Sequence, residues 1–209
     1  MKKVVLLLLI MGWILHSETP PAAVGMANND HQDAVLKKLG MLQTGDLVFR
    51  NGKGFVSNMM RNTSRRCRIY SHVGVVVLEN GSPMVYHMTD ELHGKSVFNG
   101  LKKEPFETFC SNRTNKSIGV YRYPLSNQFK SELRMELAAL NDLNPRFDDA
   151  FDLNSDDRLY CTELVWKHVL VKGGIQLPVS RTLQGSFIGL DDLHLSPEAK
   201  TVFIINFMS

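Results

Sequence analysis

The sequence predicts one α+β domain in which a mainly antiparallel sheet packs against a helix from the last third of the chain. Residues 72–78 form an apolar, β-branched run, which is typical of a strand buried on both faces. An Asn-Gly turn within residues 79–83 then leads into a second apolar segment at 84–88, as in a hairpin. Residues 158–174 carry apolar side chains at helical spacing and end in two glycines, which predicts a helix with a left-handed stop. This order of segments suits an α+β domain.

The other segments complete the predicted sheet and its helices. A serine at position 126 precedes leucines spaced at three and four residues, which predicts a capped amphipathic helix. The remaining elements are a short helix at 33–40, a first core strand at 45–50, a glycine loop entering a helix at 52–61, strands at 95–101, 117–123 and 202–207, and a short helix from Pro105. The irregular residues between 89 and 115 are expected to select the substrate.

The amino-terminal residues predict export. Two lysines precede an apolar stretch at residues 4–15, which is too short to cross a bilayer comfortably, and small residues follow it. We therefore predict a secretory signal peptide over residues 1–27, a single domain over 28–209, and a periplasmic or secreted location. An uncleaved amino-terminal anchor is the alternative.

Charge and cysteine content narrow the class of protein. A formal net charge of +3 argues against nucleic acid as a general partner. The three cysteines are Cys67, Cys110 and Cys161, and an odd number in an exported protein leaves one thiol unpaired. A disulfide between Cys67 and Cys110 with Cys161 free is the pairing consistent with catalysis, but the sequence does not give the distance between the two sulfurs.

Cys161 falls in the first turn of the helix predicted at 158–174. Free backbone N–H groups and the helix dipole stabilise a thiolate there and can lower a thiol pKa from about 8.5 into the range of roughly 3.5–7.5. The alternative is a small buried hydrophobic residue, which is the commoner role of a lone cysteine.

Two histidines supply candidates for the base. His72 begins the first strand of the predicted hairpin and His87 lies on the second, so the two rings are expected side by side, with His87 orienting His72. Either residue alone is more often structural. His87 also belongs to a cluster with Asp90, Glu91 and His93, but that spacing matches no zinc motif, and we predict neither a metal nor a cofactor.

Three stretches resemble the signature segments of the permuted papain-like amidases of YaeF/YiiX type. They are Gly-Asp-Leu-Val-Phe at 45–49, Tyr-Ser-His-Val-Gly at 70–74 and Leu-Tyr-Cys-Thr-Glu-Leu-Val-Trp at 159–166. The resemblance covers residues 42 to the carboxyl terminus and implies a permuted papain-like (NlpC-like) fold. It also implies that Cys161 is the nucleophile and His72 the base. Many members carry glutamate at the position of His87, whereas the related lecithin:retinol acyltransferases carry histidine there, as this chain does.

The resemblance implies an exported cysteine hydrolase that cleaves an amide bond through a thioester on Cys161. The expected substrate is a peptide, a peptidoglycan fragment or a lipid-linked amide, with peripheral association with the cell envelope. The alternatives are a thiol-dependent lipid acyltransferase or lipase, and a non-catalytic binding module on the same fold. The expected catalytic residues are Cys161, His72 and His87, and the expected substrate-binding residues are Tyr70, Ser71, Tyr160, Arg61 and Arg65.

Overall fold

The computed structural model describes residues 24–93, 96–155, 157–182 and 185–207. Its central feature is an antiparallel sheet built from β1 (Leu47–Gly52), β2 (His72–Glu79), β3 (Ser82–His93), β4 (Ser96–Pro105), β5 (Asn115–Arg122) and β10 (Lys200–Asn206). The strand order across the sheet is β10-β5-β1-β2-β3-β4, and each neighbouring pair is antiparallel.

Helices and two short strand pairs surround this sheet. The helices are α1 (Val24–Leu36), a 3-10 turn (Leu39–Met41), α2 (Phe55–Thr63), α3 (Phe106–Phe109), α4 (Asn127–Leu143), α5 (Cys161–Val165), a π-helix (Trp166–Val171) and α6 (Leu190–His194). The strand pairs are β6 (Arg146–Phe147) with β7 (Arg158–Leu159), and β8 (Ser180–Thr182) with β9 (Gly185–Phe187). Of the helices that the structure describes, none is both long and apolar enough to cross a bilayer.

Strand alternation divides the core into two clusters, because successive side chains of a strand point to opposite faces of the sheet. On β2, Val73, Val75 and Val77 belong to the first cluster, together with the buried side chains of α4 and α5. Val76 belongs to the second cluster, which contains Phe109 of α3. The first cluster holds α5 against the start of β2 and thereby positions its first residue.

The helix predicted at 158–174 is present with a different internal geometry. Residues 158–159 form β7, α5 begins at Cys161, and a π-helix follows from Trp166. The predicted buried stripe is confirmed at Leu164, Val165, Val169 and Leu170. Leu164 and Val169 are five residues apart, as are Val165 and Leu170, which matches the i to i+5 repeat of a π-helix. The predicted left-handed stop is confirmed at Gly174, whose φ is 81°.

The disulfide between Cys67 and Cys110, which the sequence left open, is not formed, because all three cysteines are free thiols. Cys67 lies partly exposed in the loop between α2 and β2, whereas Cys110 is buried with Phe106 and Phe109 in the second cluster. The two thiols therefore lie in different environments, one in a surface loop and the other in the core.

Two predictions concern the amino-terminal region. The helix predicted at 33–40 is replaced by the end of α1 at Leu36 and the 3-10 turn that follows. Most of the predicted signal segment lies outside the described residues, and its cleavage and the export of the domain stay predictions.

Candidate active site

The first turn of α5 is anchored on both sides of Cys161. The backbone N–H of Tyr160 donates to Glu163 Oε2 over 3.2 Å, and this pins the residue before the helix. Thr162 Oγ1 donates to the carbonyl of Ile188 over 2.7 Å. Cys161 between them is only 2% exposed. The thiol is thus held in a fixed position at the end of a packed helix.

Burial dominates the electrostatics of this thiol. Desolvation raises the pKa of Cys161 to about 11, although the backbone N–H groups of Val73, Thr162 and Cys161 itself, together with the charge of Arg50, act to lower it. The expected lowering of the thiol pKa by the helix terminus is therefore wrong for the resting site. The N–H groups are present as expected, but the cost of burying a thiolate is larger. At neutral pH the thiol keeps its proton, and it needs a base to become a nucleophile.

Three side chains on neighbouring strands form a continuous hydrogen-bonded relay. His72 is the first residue of β2, His87 lies on β3 and Glu104 lies on β4. His72 Nε2 is 2.9 Å from His87 Nδ1, and His87 Nε2 is 3.0 Å from Glu104 Oε1. Lys102 Nζ lies 3.2 Å from the other carboxylate oxygen, Glu104 Oε2. The predicted pairing of the two histidines is present, and a carboxylate extends it.

The relay fixes which ring nitrogens carry protons. Burial lowers the pKa of His72 well below its ordinary value and also lowers that of His87, so both rings are neutral at neutral pH. Burial acts to raise the pKa of Glu104, but the hydrogen bond from His87 and the charge and hydrogen bond of Lys102 outweigh it and bring that pKa to about 2. The ionised carboxylate only accepts, so His87 Nε2 donates to it and His87 Nδ1 accepts from His72 Nε2. The lone pair of His72 Nδ1 is then the one available to take a proton.

An aromatic ring and a cation surround the relay. Phe109 lies against both imidazoles, with ring centroids 5.8 Å from that of His72 and 5.0 Å from that of His87. The Arg50 Cζ atom lies 4.7 Å from the centre of the same Phe109 ring. After burial itself, the Arg50 charge is the largest contribution that lowers the pKa of His72. This environment keeps the candidate base unprotonated.

The side chains of Cys161 and His72 pack against different core clusters. Cys161 belongs to the first cluster with Val73, whereas His72 packs on Phe109 of the second. Val73 joins the two groups, since it directly follows His72 and its N–H acts on the Cys161 sulfur. No hydrogen bond links the Cys161 thiol to the His72 ring in the part of the chain that the structure describes.

A small pocket opens at the thiol. Its lining is mostly apolar and consists of Met60, Thr63, Phe151, Tyr160, Cys161, Thr162, Phe187 and Leu190. The Tyr160 ring stacks on Phe187 at 5.8 Å with an interplanar angle of 6°, and Phe151 meets Tyr160 edge-on at 5.3 Å. Sequence reasoning missed Phe151, which lies in the loop between β6 and β7, and Phe187, which is the last residue of β9.

The predicted substrate-binding residues occupy different kinds of position. Tyr160 lines the pocket. Tyr70 is buried with its hydroxyl 3.1 Å from that of Tyr121, and Ser71 Oγ accepts from the Gly52 N–H over 3.0 Å.

The two predicted arginines also differ in setting. Arg61 Nη1 donates to Asn51 Oδ1 and to the Gly52 carbonyl over 2.7 and 2.8 Å, while the side chain of Arg65 is exposed. Tyr70, Ser71 and Arg61 thus hold the fold together around β1, and substrate binding by all five residues stays a prediction.

Glu104 is the main relay residue that sequence reasoning missed. It lies just before Pro105, three residues beyond the end of the strand that the sequence predicts at 95–101. In the β3–β4 register His87 pairs with Lys102 and Val85 pairs with Glu104, which brings the carboxylate diagonally beside His87. Extending the hairpin pattern through residue 105 would have placed Glu104 on the face of His87.

Comparisons with known proteins agree with this architecture. A family model described as permuted papain-like amidase enzyme, YaeF/YiiX, C92 family, matches residues 41–202. The uncharacterized protein YiiX of Escherichia coli strain K12 is 26% identical over 125 residues, which cover 60% of this chain and 56% of that protein. The aligned region therefore spans little more than half the length of this relative.

A solved structure shares the fold. The crystal structure of a protein described as metalloprotein yiiX from Escherichia coli O157:H7 superposes with a TM-score of 0.63 at 20% sequence identity. The match covers 78% of this chain and 97% of that chain. It confirms the α+β fold class that the sequence predicts.

The description of that neighbour raises the question of a metal ligand set. Within residues 24–93, 96–155, 157–182 and 185–207, no three histidine, cysteine, aspartate or glutamate side chains come together as a metal site requires. The side chains within those ranges thus do not form such a set.

Proposed function

The chain belongs to the permuted papain-like amidases of the YaeF/YiiX, C92 family, and we propose that it is an exported cysteine hydrolase that cleaves an amide bond. The observation that carries this proposal is the relay from Glu104 through His87 to His72, which leaves one imidazole lone pair beside the strand that meets Cys161. A purely structural pair of histidines has no need of a buried carboxylate that fixes the tautomer of both rings. The signal-like residues 1–27 support export.

The first half of the reaction uses the resting protonation states. His72 Nδ1 takes the proton of the Cys161 thiol as the sulfur attacks the amide carbonyl, and the carbonyl oxygen becomes an oxyanion. The backbone N–H groups of Cys161 and Thr162, at the start of α5, are the candidate donors to that oxyanion. When the C–N bond breaks, His72 returns the proton to the leaving amine, and a thioester remains on Cys161.

Hydrolysis of the thioester repeats these steps with water. His72 accepts a proton from water as the water oxygen attacks the thioester carbonyl, and it gives that proton to the departing sulfur. Glu104 stays ionised and His87 stays neutral throughout, so both act as positioning residues. The negative charge of Glu104 stabilises the imidazolium that forms on His72 in each half of the reaction.

The side chains around the thiol support a substrate with an apolar group next to the scissile bond. The pocket itself has a volume of only about 10 Å³, which is too small to enclose an acyl chain or an aromatic ring, so such a group would lie across its mouth against Met60, Phe151, Phe187 and Leu190. The same lining supports a second candidate function, a thiol-dependent lipid acyltransferase or lipase, because the acyl chain of an ester would contact the same side chains.

Two substrate classes test the proposal. The full chain is incubated with cell-wall peptides and with a long-chain N-acyl amide, and product release is compared with that of Cys161→Ala and of Cys67→Ser, which removes a thiol that does not line the pocket. We expect the wild type and Cys67→Ser to cleave at least one amide and Cys161→Ala to cleave none. Cleavage at the wild-type rate by Cys161→Ala would refute the proposal. Acylation of Cys161 by a lipid ester alone would favour the second candidate.

A further inference from the structure

Helix α2 presents its apolar side chains to solvent. Phe55, Val56 and Met59 are 76%, 71% and 55% exposed, although residues of this type are normally buried. At the 100° step of an α-helix these three residues, with Met60 and Thr63, fall on one face. We call the exposed residues Phe55, Val56 and Met59 the α2 apolar face.

The polar side of α2 is the side attached to the protein. Arg61 Nη1 donates to Asn51 Oδ1 and to the carbonyl of Gly52, which are both on β1. Ser57 Oγ lies directly against Gly52. The usual orientation of an amphipathic helix is thus reversed, and hydrogen bonds rather than apolar packing hold α2 on the sheet. These bonds keep the apolar face turned outward.

Exposed cations flank α2 along the chain. They are Lys53 before the helix and Arg65, Arg66 and Arg68 after it, and the sequence contains no Asp or Glu between Asp46 and Glu79. Two carboxylates of α6 contact this segment: Asp191 Oδ2 accepts from the backbone N–H groups of Arg65 and Arg66, and Asp192 lies 3.0 Å from Arg66. The four exposed cations outnumber these two carboxylates, so the segment keeps a net positive charge.

The α2 apolar face is continuous with the thiol pocket. Met60 and Thr63, on the same side of α2, form part of the lining around Cys161. A surface that receives the α2 apolar face would therefore lie at the mouth of that pocket.

We propose that α2 docks on the surface of an anionic lipid bilayer, with Phe55, Val56 and Met59 inserted among the lipids and the cations of the 53–68 segment against their headgroups. An apolar face rimmed by lysine and arginine is the pattern by which interfacial helices bind anionic membranes. Charge complementarity selects the lipid surface as the occupant, because the four exposed cations of the segment outnumber the two carboxylates, Asp191 and Asp192, that contact it. Delivery of a lipid-linked substrate to Cys161 follows if the proposed hydrolase function holds, whereas docking itself does not depend on it.

A fluorescent reporter on α2 tests docking directly. In the full chain, Cys67→Ser and Cys161→Ala remove the partly exposed and the candidate reactive thiol, and Met59→Cys is labelled with an environment-sensitive nitrobenzoxadiazole dye. The matched control carries the dye at Met135→Cys, because Met135 on α4 is 68% exposed and remote in sequence. The probe is a vesicle of phosphatidylcholine with or without phosphatidylglycerol. The inactive background separates this result from the fate of the hydrolase proposal.

We expect the emission of the dye at position 59 to rise and shift to the blue with phosphatidylglycerol vesicles, and the dye at position 135 to be unaffected. The double variant Arg65→Gln and Arg68→Gln should weaken the response about 25-fold, since each cation near an anionic surface contributes about fivefold. The charge-matched control Arg134→Gln and Lys172→Gln, which removes an exposed cation of α4 and one that pairs with α4, should leave it unchanged. An equal response at both dyes, or none at position 59, would overturn the proposal. A dye at position 59 that is already blue-shifted without vesicles would also overturn it, because another part of the chain or a second copy then covers the face.

Discussion

Replacing Glu104 with glutamine tests the relay without changing its shape. Glutamine keeps the length of the side chain and an oxygen that accepts from His87 Nε2, but it removes the negative charge. Because the pKa of Glu104 lies at about 2, that charge is present over the whole working pH range of the native protein. The charge stabilises an imidazolium on His72, which must form whenever the Cys161 thiol gives up its proton. Glu104→Gln should therefore slow thiolate formation on Cys161 while leaving the fold intact.

The magnitude follows from the relay distances. The contacts of 3.0 Å between Glu104 and His87 and 2.9 Å between His87 and His72 are joined by one imidazole ring. The carboxylate is then roughly 9 Å from the centre of the His72 ring, and at an effective dielectric constant of about 20 a unit charge contributes about 1.8 kcal/mol. This energy corresponds to a loss of about 20-fold in the population of the imidazolium–thiolate pair.

The assay is the rate at which iodoacetamide alkylates Cys161, followed by mass spectrometry as a function of pH. Glu104→Gln should lower the plateau of the profile about 20-fold and move its acidic limb to lower pH, because His72 loses a stabilising charge. Glu107→Gln removes a neighbouring carboxylate of α3 and should leave both unchanged. An unchanged plateau in Glu104→Gln, or an acidic limb that moves to higher pH, would refute the role of this relay.

Three further predictions concern the base, acid stability and a buried ion pair. His72→Ala should slow alkylation of Cys161 by about 100-fold or more, and His87→Ala by about tenfold, since the first removes the base and the second only its orientation; equal rates in the wild type and His72→Ala would contradict this. Because burial lowers the pKa of both histidines below the 6.5 of the unfolded chain, the unfolded state binds more protons below that pH, and the urea midpoint should be lower at pH 5.5 than at pH 7.5; a midpoint that rises on acidification would show the sign to be wrong. Arg122→Ala should cost about 3 kcal/mol in urea unfolding, because it leaves the Asp46 carboxylate, which is 1% exposed and lies 2.6 Å from Arg122 Nε, without its charged partner; a loss no larger than that of the exposed Arg113→Ala would contradict the pairing.

Local sequence pattern was sufficient for the central elements. The β-branched run after His72, the Asn-Gly turn and the leucine spacing after Ser126 each depend on near neighbours, and β2, β3 and α4 lie where these patterns predict them. The pairing of His72 with His87 followed from the hairpin alone. These features depend on short-range periodicity, which a single sequence displays directly.

Long-range packing decided what local pattern could not. The thiol pKa of Cys161 depends on how deeply α5 is buried, and the first-turn position alone predicted the wrong direction. Glu104 joins the relay through the β3–β4 register, which the residues on either strand do not specify separately. The number of cysteines left a bond between Cys67 and Cys110 open, whereas the fold places one in a surface loop and the other in the core.

The most direct test of a nucleophilic Cys161 activated by His72 is acid-quenched mass spectrometry of the full chain after brief exposure to an activated acyl ester. We predict that the wild type carries one acyl group in thioester linkage on Cys161, that Cys161→Ser carries no thioester, and that His72→Ala accumulates the adduct far more slowly. An acyl group found only on other residues, or an adduct on Cys161 that forms equally fast in His72→Ala, would contradict the account.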